Sequence, residues 1–163
     1  MVQGASINFF SEARHTLDEK GRLTLPGFVR DVLARSSAPE QLWLGWMPGD
    51  ACLNAYPKET MAELEAEWAD PSRFASTAQH SDFQRLFRSR LETVTTDKAG
   101  RILLPPSKRE LAGITKDVVV NGNGDKFEIW EPARYQEKMD KVAQAYVAAA
   151  QGADPAAPRY PRC

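Results

Sequence analysis

Two cysteines in 163 residues, Cys52 and Cys163, form no Cys-x-x-Cys pair, so there is no disulfide framework and no zinc spacing to build on. The two histidines, His15 and His80, are isolated from each other and from any carboxylate-rich motif, and they read as surface or packing residues rather than ligands. No metal or other cofactor is expected. No apolar run approaches the ~18 residues of a membrane span, and residues 1–11 lack the basic and apolar regions of an export signal, which points to a cytoplasmic chain with no membrane partner. There is no surplus of positive charge either. The formal net charge is −1, which argues against a protein that holds nucleic acid by bulk electrostatics. The average is pulled down by the run from Lys58 to Asp70, with Glu59, Glu63, Glu65, Glu67 and Asp70, and a local basic patch elsewhere is compatible with it.

What the chain does contain is an internal repeat. Thr16-Leu17-Asp18-Glu19-Lys20-Gly21-Arg22-Leu23-Thr24-Leu25-Pro26 recurs 79 positions later as Thr95-Thr96-Asp97-Lys98-Ala99-Gly100-Arg101-Ile102-Leu103-Leu104-Pro105, with Thr, Asp, Gly, Arg, Leu and Pro identical in order. Arg30 then falls on Arg109 and Asp31 on Glu110. After a short gap, Leu53-Asn54-Ala55-Tyr56 corresponds to Phe127-Glu128-Ile129-Trp130.

Each copy predicts strand, turn, strand, short helix and hairpin. In the first, Arg14 to Leu17 and Arg22 to Leu25 flank a polar turn, with Gly21 free to take positive φ and Asp18 able to bond the turn backbone, which reads as a hairpin. Pro26 opens a helix carrying Phe28, Val32 and Leu33, and Leu42 to Trp46 with Cys52 to Tyr56 make the next hairpin. In the second, Thr93 to Thr96 and Arg101 to Leu104 repeat the hairpin, and Pro106 to Ala112 repeat the helix with Gly113 as its stop. Val118 to Asn121 and Lys126 to Trp130 close the unit. Units of some forty residues are near the lower limit for an independent core, so each half needs the other.

The expected fold is therefore α+β: two tandem repeats interleaved into one pseudo-two-fold β-barrel with peripheral helices. The organisation expected is a first repeat over 10–57, a helical linker over 58–91, a second repeat over 92–131, a C-terminal helix over 132–150 and a disordered tail over 151–163. In the linker, Met61, Leu64 and Trp68 fall at helical spacing, as do Phe83, Leu86, Phe87 and Leu91. Tyr135, Met139, Val142 and Tyr146 form the stripe of the last helix.

The turns carry the candidate chemistry. An Asp-x-x-Gly-Arg turn projects a guanidinium from rigid backbone, and arginine suits bidentate contact with phosphate or a guanine edge. The candidate DNA-binding residues are Asp18, Lys20, Gly21 and Arg22 with Asp97, Lys98, Gly100 and Arg101, the pairs Lys20/Arg22 and Lys98/Arg101 being expected at symmetry-related positions. Asp18 with Arg22 and Asp97 with Arg101 could equally serve to hold the turns, and Arg30 and Arg109 could be salt-bridged or DNA-facing. Phe83-Gln84-Arg85-Leu86-Phe87-Arg88 interleaves aromatics with cations, but the spacing fits an amphipathic helix with a basic outer side better than base stacking. No Ser/His/Asp order, phosphate loop or carboxylate pair tied to a nucleophile is present, so no enzymatic activity and no small-molecule substrate are expected.

These turns, with Pro26 and Arg30, then Pro105, Arg109 and Ala112-Gly113-Ile114-Thr115-Lys116, and the closing Lys126-Phe127-Glu128-Ile129-Trp130, resemble the MraZ family of bacterial regulators within the AbrB-like swapped-hairpin superfamily. The resemblance runs from about Phe10 to Met139. It implies a nucleoid-associated, sequence-specific double-stranded DNA-binding protein, assembled as a homo-oligomeric ring, that recognises short direct repeats upstream of the division and cell-wall gene cluster and represses it. It also implies that Asp18, Arg22, Asp97 and Arg101 meet DNA. Lys108 stands where the family commonly carries an apolar residue. The alternative is a ring-forming scaffold or antitoxin-like binder of protein in which the turns serve assembly.

Overall fold

A computed structural model describes residues 7–152, so the greater part of the tail expected to be disordered lies outside the described residues. It divides into two units, residues 1–131 and the segment from Pro132 onward. The second is the helix α5, Pro132–Ala150, whose Met139, Val142 and Tyr146 are partly exposed.

The first unit is an α+β structure. Its strands are β1 (Glu12–Thr16), β2 (Arg22–Thr24), β3 (Gln41–Gly45), β4 (Leu53–Pro57), β5 (Leu91–Thr95), β6 (Arg101–Leu103), β7 (Asp117–Asn123) and β8 (Lys126–Trp130). Its helices are α1 (Gly27–Leu33), α2 (Lys58–Ala69), α3 (Thr77–Arg90) and α4 (Pro106–Ala112). Six strands form one antiparallel sheet in the order β1-β7-β8-β4-β3-β5, and β2 pairs with β6 in a separate ribbon. The six-stranded sheet is open, with β1 and β5 at its edges.

The pairing corrects the expectation of a local hairpin at the head of each repeat. Asp18 N–H donates to the Arg22 carbonyl at 3.0 Å and Asp97 N–H to that of Arg101 at 2.9 Å, which closes each turn. The flanking strands then part company. β1 pairs with β7 of the other copy and β5 with β3, while β2 finds β6. Such an exchange lets two undersized repeats share one core. Across both seams, corresponding residues stand opposite each other: Leu23 faces Ile102 between β2 and β6, and Asn54 faces Glu128 between β4 and β8.

Alternation in the strands supplies the core. Leu23 and Ile102, the inward residues of the ribbon, are fully buried, as are Leu42, Leu44, Leu53, Ala55, Phe127 and Ile129 on the inner side of the sheet. Phe9, joined to Gly124 by a backbone bridge, sets its ring edge-on to Phe127 at a centroid distance of 5.3 Å. Gly113 ends α4 at φ +68, and Ile114 N–H returns to the Arg109 carbonyl at 2.8 Å, the helix stop that the sequence predicts.

Between the copies, Ser76 caps α3 by accepting from Gln79 N–H. Trp68 of α2 packs on Phe87 and Phe83, at centroid distances of 4.6 and 5.9 Å. Arg85 and Arg88 lie off that face and pair with Asp82 and Glu65, as an amphipathic helix requires. Lys108 is 7% exposed and donates from Nζ to the carbonyl of Arg90, the last residue of α3, at 2.6 Å. Its counterpart in the first copy, Val29, is fully buried and apolar. The lysine thus stands where a helix end must be tied down, which accounts for a cation at an otherwise apolar position.

Candidate nucleic-acid interface

Each turn is built by its aspartate. Asp18 Oδ1 accepts from the backbone N–H groups of Lys20 and Arg22 at 3.0 and 2.9 Å, and Oδ2 accepts from Arg22 Nε at 2.6 Å. Asp97 does the same with Ala99, Arg101 and Arg101 Nε, all at 2.9 Å. In both, the arginine's backbone N–H, reinforced by its guanidinium, holds the carboxyl below its ordinary value against a weaker opposing effect of burial. Gly21 and Gly100 sit at φ +79 and +75, where a side chain would be strained.

The two turns are locked together crosswise. Leu25 N–H donates to the Gly100 carbonyl at 2.9 Å, and Leu104 N–H to that of Gly21 at 3.0 Å. Arg109 packs its guanidinium over Gly21 and donates from Nε to the Leu104 carbonyl at 3.1 Å, while the stem of Arg30 lies over Gly100. A Cβ on Gly21 would meet Arg109 Cζ at 3.0 Å, and one on Gly100 would meet Arg30 Cδ at 3.2 Å. Arg30 and Arg109 therefore brace the turn of the opposite repeat, a role that spacing alone did not suggest.

The consequence is a single cluster. Arg101 Nη1 lies 4.0 Å from Asp18 Oδ2, so both Asp–Arg pairs meet, with Arg22 and Arg101 each about a third exposed. Only Nε of each guanidinium is held by its own aspartate. Because Leu23 and Ile102 point inward, period-two alternation turns Arg22, Thr24, Arg101 and Leu103 to the other face of the ribbon, with Arg22 opposite Leu103 and Thr24 opposite Arg101. Thr24 and Leu103, the latter 51% exposed, were not among the expected site residues, although the same alternation marks them. Lys20 and Lys98 are exposed on the turns but do not correspond to each other: the 79-residue offset sets Lys20 against Ala99 and Lys98 against Glu19, so the cations stand one step apart.

Fold and site together define a duplicated α+β protein that presents two cross-braced arginine turns on one ribbon. A family model described as "MraZ protein, putative antitoxin-like" matches residues 89–154. The chain is 37% identical to the transcriptional regulator MraZ of Heliobacterium modesticaldum over 138 residues, 85% of this chain and 91% of that one. It is 40% identical to that of Oleidesulfovibrio alaskensis over 139 residues, covering 83% and 86%. With that of Acidithiobacillus ferrooxidans it shares 37% over 144 residues, covering 85% and 90%. The chain belongs to the MraZ family. Among the described residues no helix is long and apolar enough to cross a membrane, and no group of three or more His, Cys, Asp or Glu is arranged to hold a metal ion.

Proposed function

We propose that this protein is a sequence-specific double-stranded DNA-binding transcriptional regulator whose contact surface is the β2–β6 ribbon with its two turns. Asp18 and Asp97 fix the turns, Gly21 and Gly100 permit them, Arg22 and Arg101 reach phosphate or base edges, and Lys20 and Lys98 add charge at the rim. The observation that carries this reading is the convergence of two arginine turns, one from each repeat, on one face. The name shared by the relatives supports it, and so does the preference of guanidinium for bidentate anion contacts.

In this reading the repeats span 10–57 and 92–131, joined by the linker 58–91, and their exchanged strands with the ribbon form the swapped-hairpin barrel of the superfamily. The protein acts in the nucleoid as a repressor of the division and cell-wall gene cluster and of its own gene. A near-neutral protomer then gains its affinity from a ring of copies on spaced promoter repeats, since linked sites can exceed single-site affinity by roughly 10²–10⁴.

Titration of the oligomer with a duplex from upstream of its own gene tests this. Binding should weaken steeply with salt, by a logarithmic slope of about −0.9 for each phosphate contact. Arg22→Ala and Arg101→Ala should each weaken it by about 1–3 kcal/mol with the assembly mass unchanged. Variants that bind like the parent would instead support a ring-forming scaffold or antitoxin-like binder of protein.

A further inference from the structure

The ribbon is symmetric in its arginines but not in what stands beside them. Backbone bonds join Leu104 to Gly21 and Leu25 to Gly100, so hydrogen-bonded pairs fall at every second rung. Arg22 with Leu103, and Thr24 with Arg101, are the closer, non-hydrogen-bonded pairs between them. Side chains so paired stand about 4.5–5.5 Å apart at Cβ. Leu103 is therefore flanked by both arginines, Arg22 across the ribbon and Arg101 two residues back along β6. Its counterpart in the first repeat is Thr24 on β2, exposed and flanked in the same way.

The core does not hold Leu103. Its neighbours Ile102 and Leu104 are fully buried, whereas Leu103 stays half exposed between two cations. A two-stranded ribbon of this kind fits the major groove of a B-form duplex. On the DNA-binding reading given above, the arginines there meet phosphate or guanine. The base-edge feature left for an apolar side chain is the 5-methyl group of thymine, since the other edges present donors and acceptors. Threonine at the equivalent place brings a hydroxyl that donates or accepts, and so bonds either kind of base. A ribbon with equal halves would read a duplex alike in both directions; leucine against threonine gives the bound duplex a direction.

We propose that Leu103 is a specificity-determining residue of this surface: it packs against the 5-methyl group of one thymine in each site that a protomer occupies, between the two arginine contacts, while Thr24 does not discriminate. The inference rests on the DNA-binding reading and adds to it a base and an orientation. Burial of one methyl group against an apolar side chain gives about a fourfold preference for thymine over the same base without its methyl. No phosphate takes part in it.

A duplex from upstream of the protein's own gene, with thymines replaced by deoxyuridine one position at a time, tests this, because uracil pairs as thymine does and lacks only the methyl group. With the intact oligomer, replacement at one position in each bound site should weaken binding about fourfold, and at the others by less than about twofold. Leu103→Ser should bind the unmodified duplex at least about fourfold more weakly and lose nothing further on uracil replacement. It should keep the parent's salt slope, assembly mass and thermal midpoint, since the side chain touches neither phosphate nor core. Thr24→Ala should keep the parent's ratio of thymine to uracil affinity. Salt-sensitive binding that is indifferent to uracil at every position, or a uracil loss that persists in Leu103→Ser, overturns the inference and leaves the DNA-binding reading standing. So does a ratio that disappears in Thr24→Ala, or an altered assembly mass of Leu103→Ser beside a parent that ignores uracil, which would assign Leu103 to a contact between subunits. A parent that binds no such duplex at any salt concentration refutes the DNA-binding reading, and the inference falls with it.

Discussion

Replacing Gly21 with alanine tests whether the turns are held as described. At φ +79 an L-residue is disfavoured by about 1–2 kcal/mol, whatever surrounds it. Here the new methyl also stands 3.0 Å from Arg109 Cζ and Nη2, so the guanidinium must withdraw, which strips the Leu104 carbonyl of its bond from Arg109 Nε. A hydrogen bond of that kind contributes about 0.5–1.5 kcal/mol, for a combined loss near 2–3 kcal/mol. For a chain of this size that lowers the thermal midpoint by about 4–12 °C. Gly100→Ala carries the same backbone strain but presses only on the flexible Cδ of Arg30 at 3.2 Å, so it should cost nearer 1–2 kcal/mol. A double-mutant cycle isolates the bracing contact: once Arg109→Ala has removed the guanidinium, Gly21→Ala should cost only the backbone part, leaving a coupling of about 0.5–1.5 kcal/mol between the two sites. Calorimetry of the four proteins gives the result. Strict additivity, or a Gly21→Ala cost below about 0.5 kcal/mol, would refute the crosswise bracing of the turns.

Two further outcomes follow from the charged groups. Asp18 and Asp97 are held below their ordinary value of 3.8 chiefly by the backbone N–H of the following arginine, so their contribution to stability is present above that value and disappears as pH falls through the lower folded value. Asp97→Asn can still accept the turn's N–H bonds but does not titrate, and the gap in thermal midpoint between it and the parent should close as the pH is lowered from about 7 to below 3.8; a gap indifferent to pH contradicts this. Lys108 is pushed below 10.5 by burial, against a smaller raising effect of Glu92, so the unfolded chain holds that proton more tightly and stability gains as pH rises toward 10.5. Lys108→Met should stay within about 1.5 kcal/mol of the parent near neutrality, because it exchanges a desolvated cation for a side chain of similar length, and should lack the alkaline gain seen by urea unfolding.

Much of this fold was legible because the repeat was. Six identities between the two copies, and Gly113 after α4, predicted the strands, the turns and the helix stop. Periodicity says which side of a strand is buried but is silent about which strand lies beside it, and so β1 and β2 read as a hairpin when each pairs with the other copy. The candidate site was legible to the same depth. Asp18 and Asp97 bond their turns as their residue type suggests, while the bracing by Arg30 and Arg109 depends on helices reaching across to the opposite repeat, a relation with no local signal. Lys108 is a similar case: it reads as a departure from pattern until the end of α3 is found beside it.

Joining two repeats in one chain changes what each is free to become. Two identical chains must carry every substitution twice, once in each half, and a change that helps one half can harm the other. In a tandem chain the halves answer to different neighbours. Where the bracing demands equivalence, at Asp18 and Asp97, Gly21 and Gly100, Arg22 and Arg101, Arg30 and Arg109, the residues are the same. Where one half meets something the other does not, they diverge: Lys108 against Val29 because only the second repeat receives α3, and Thr96 against Leu17 beside the longer connection of the first. The pattern of sameness marks the shared ribbon, and the pattern of difference marks the places where this chain has room for a property that a symmetric pair could not hold.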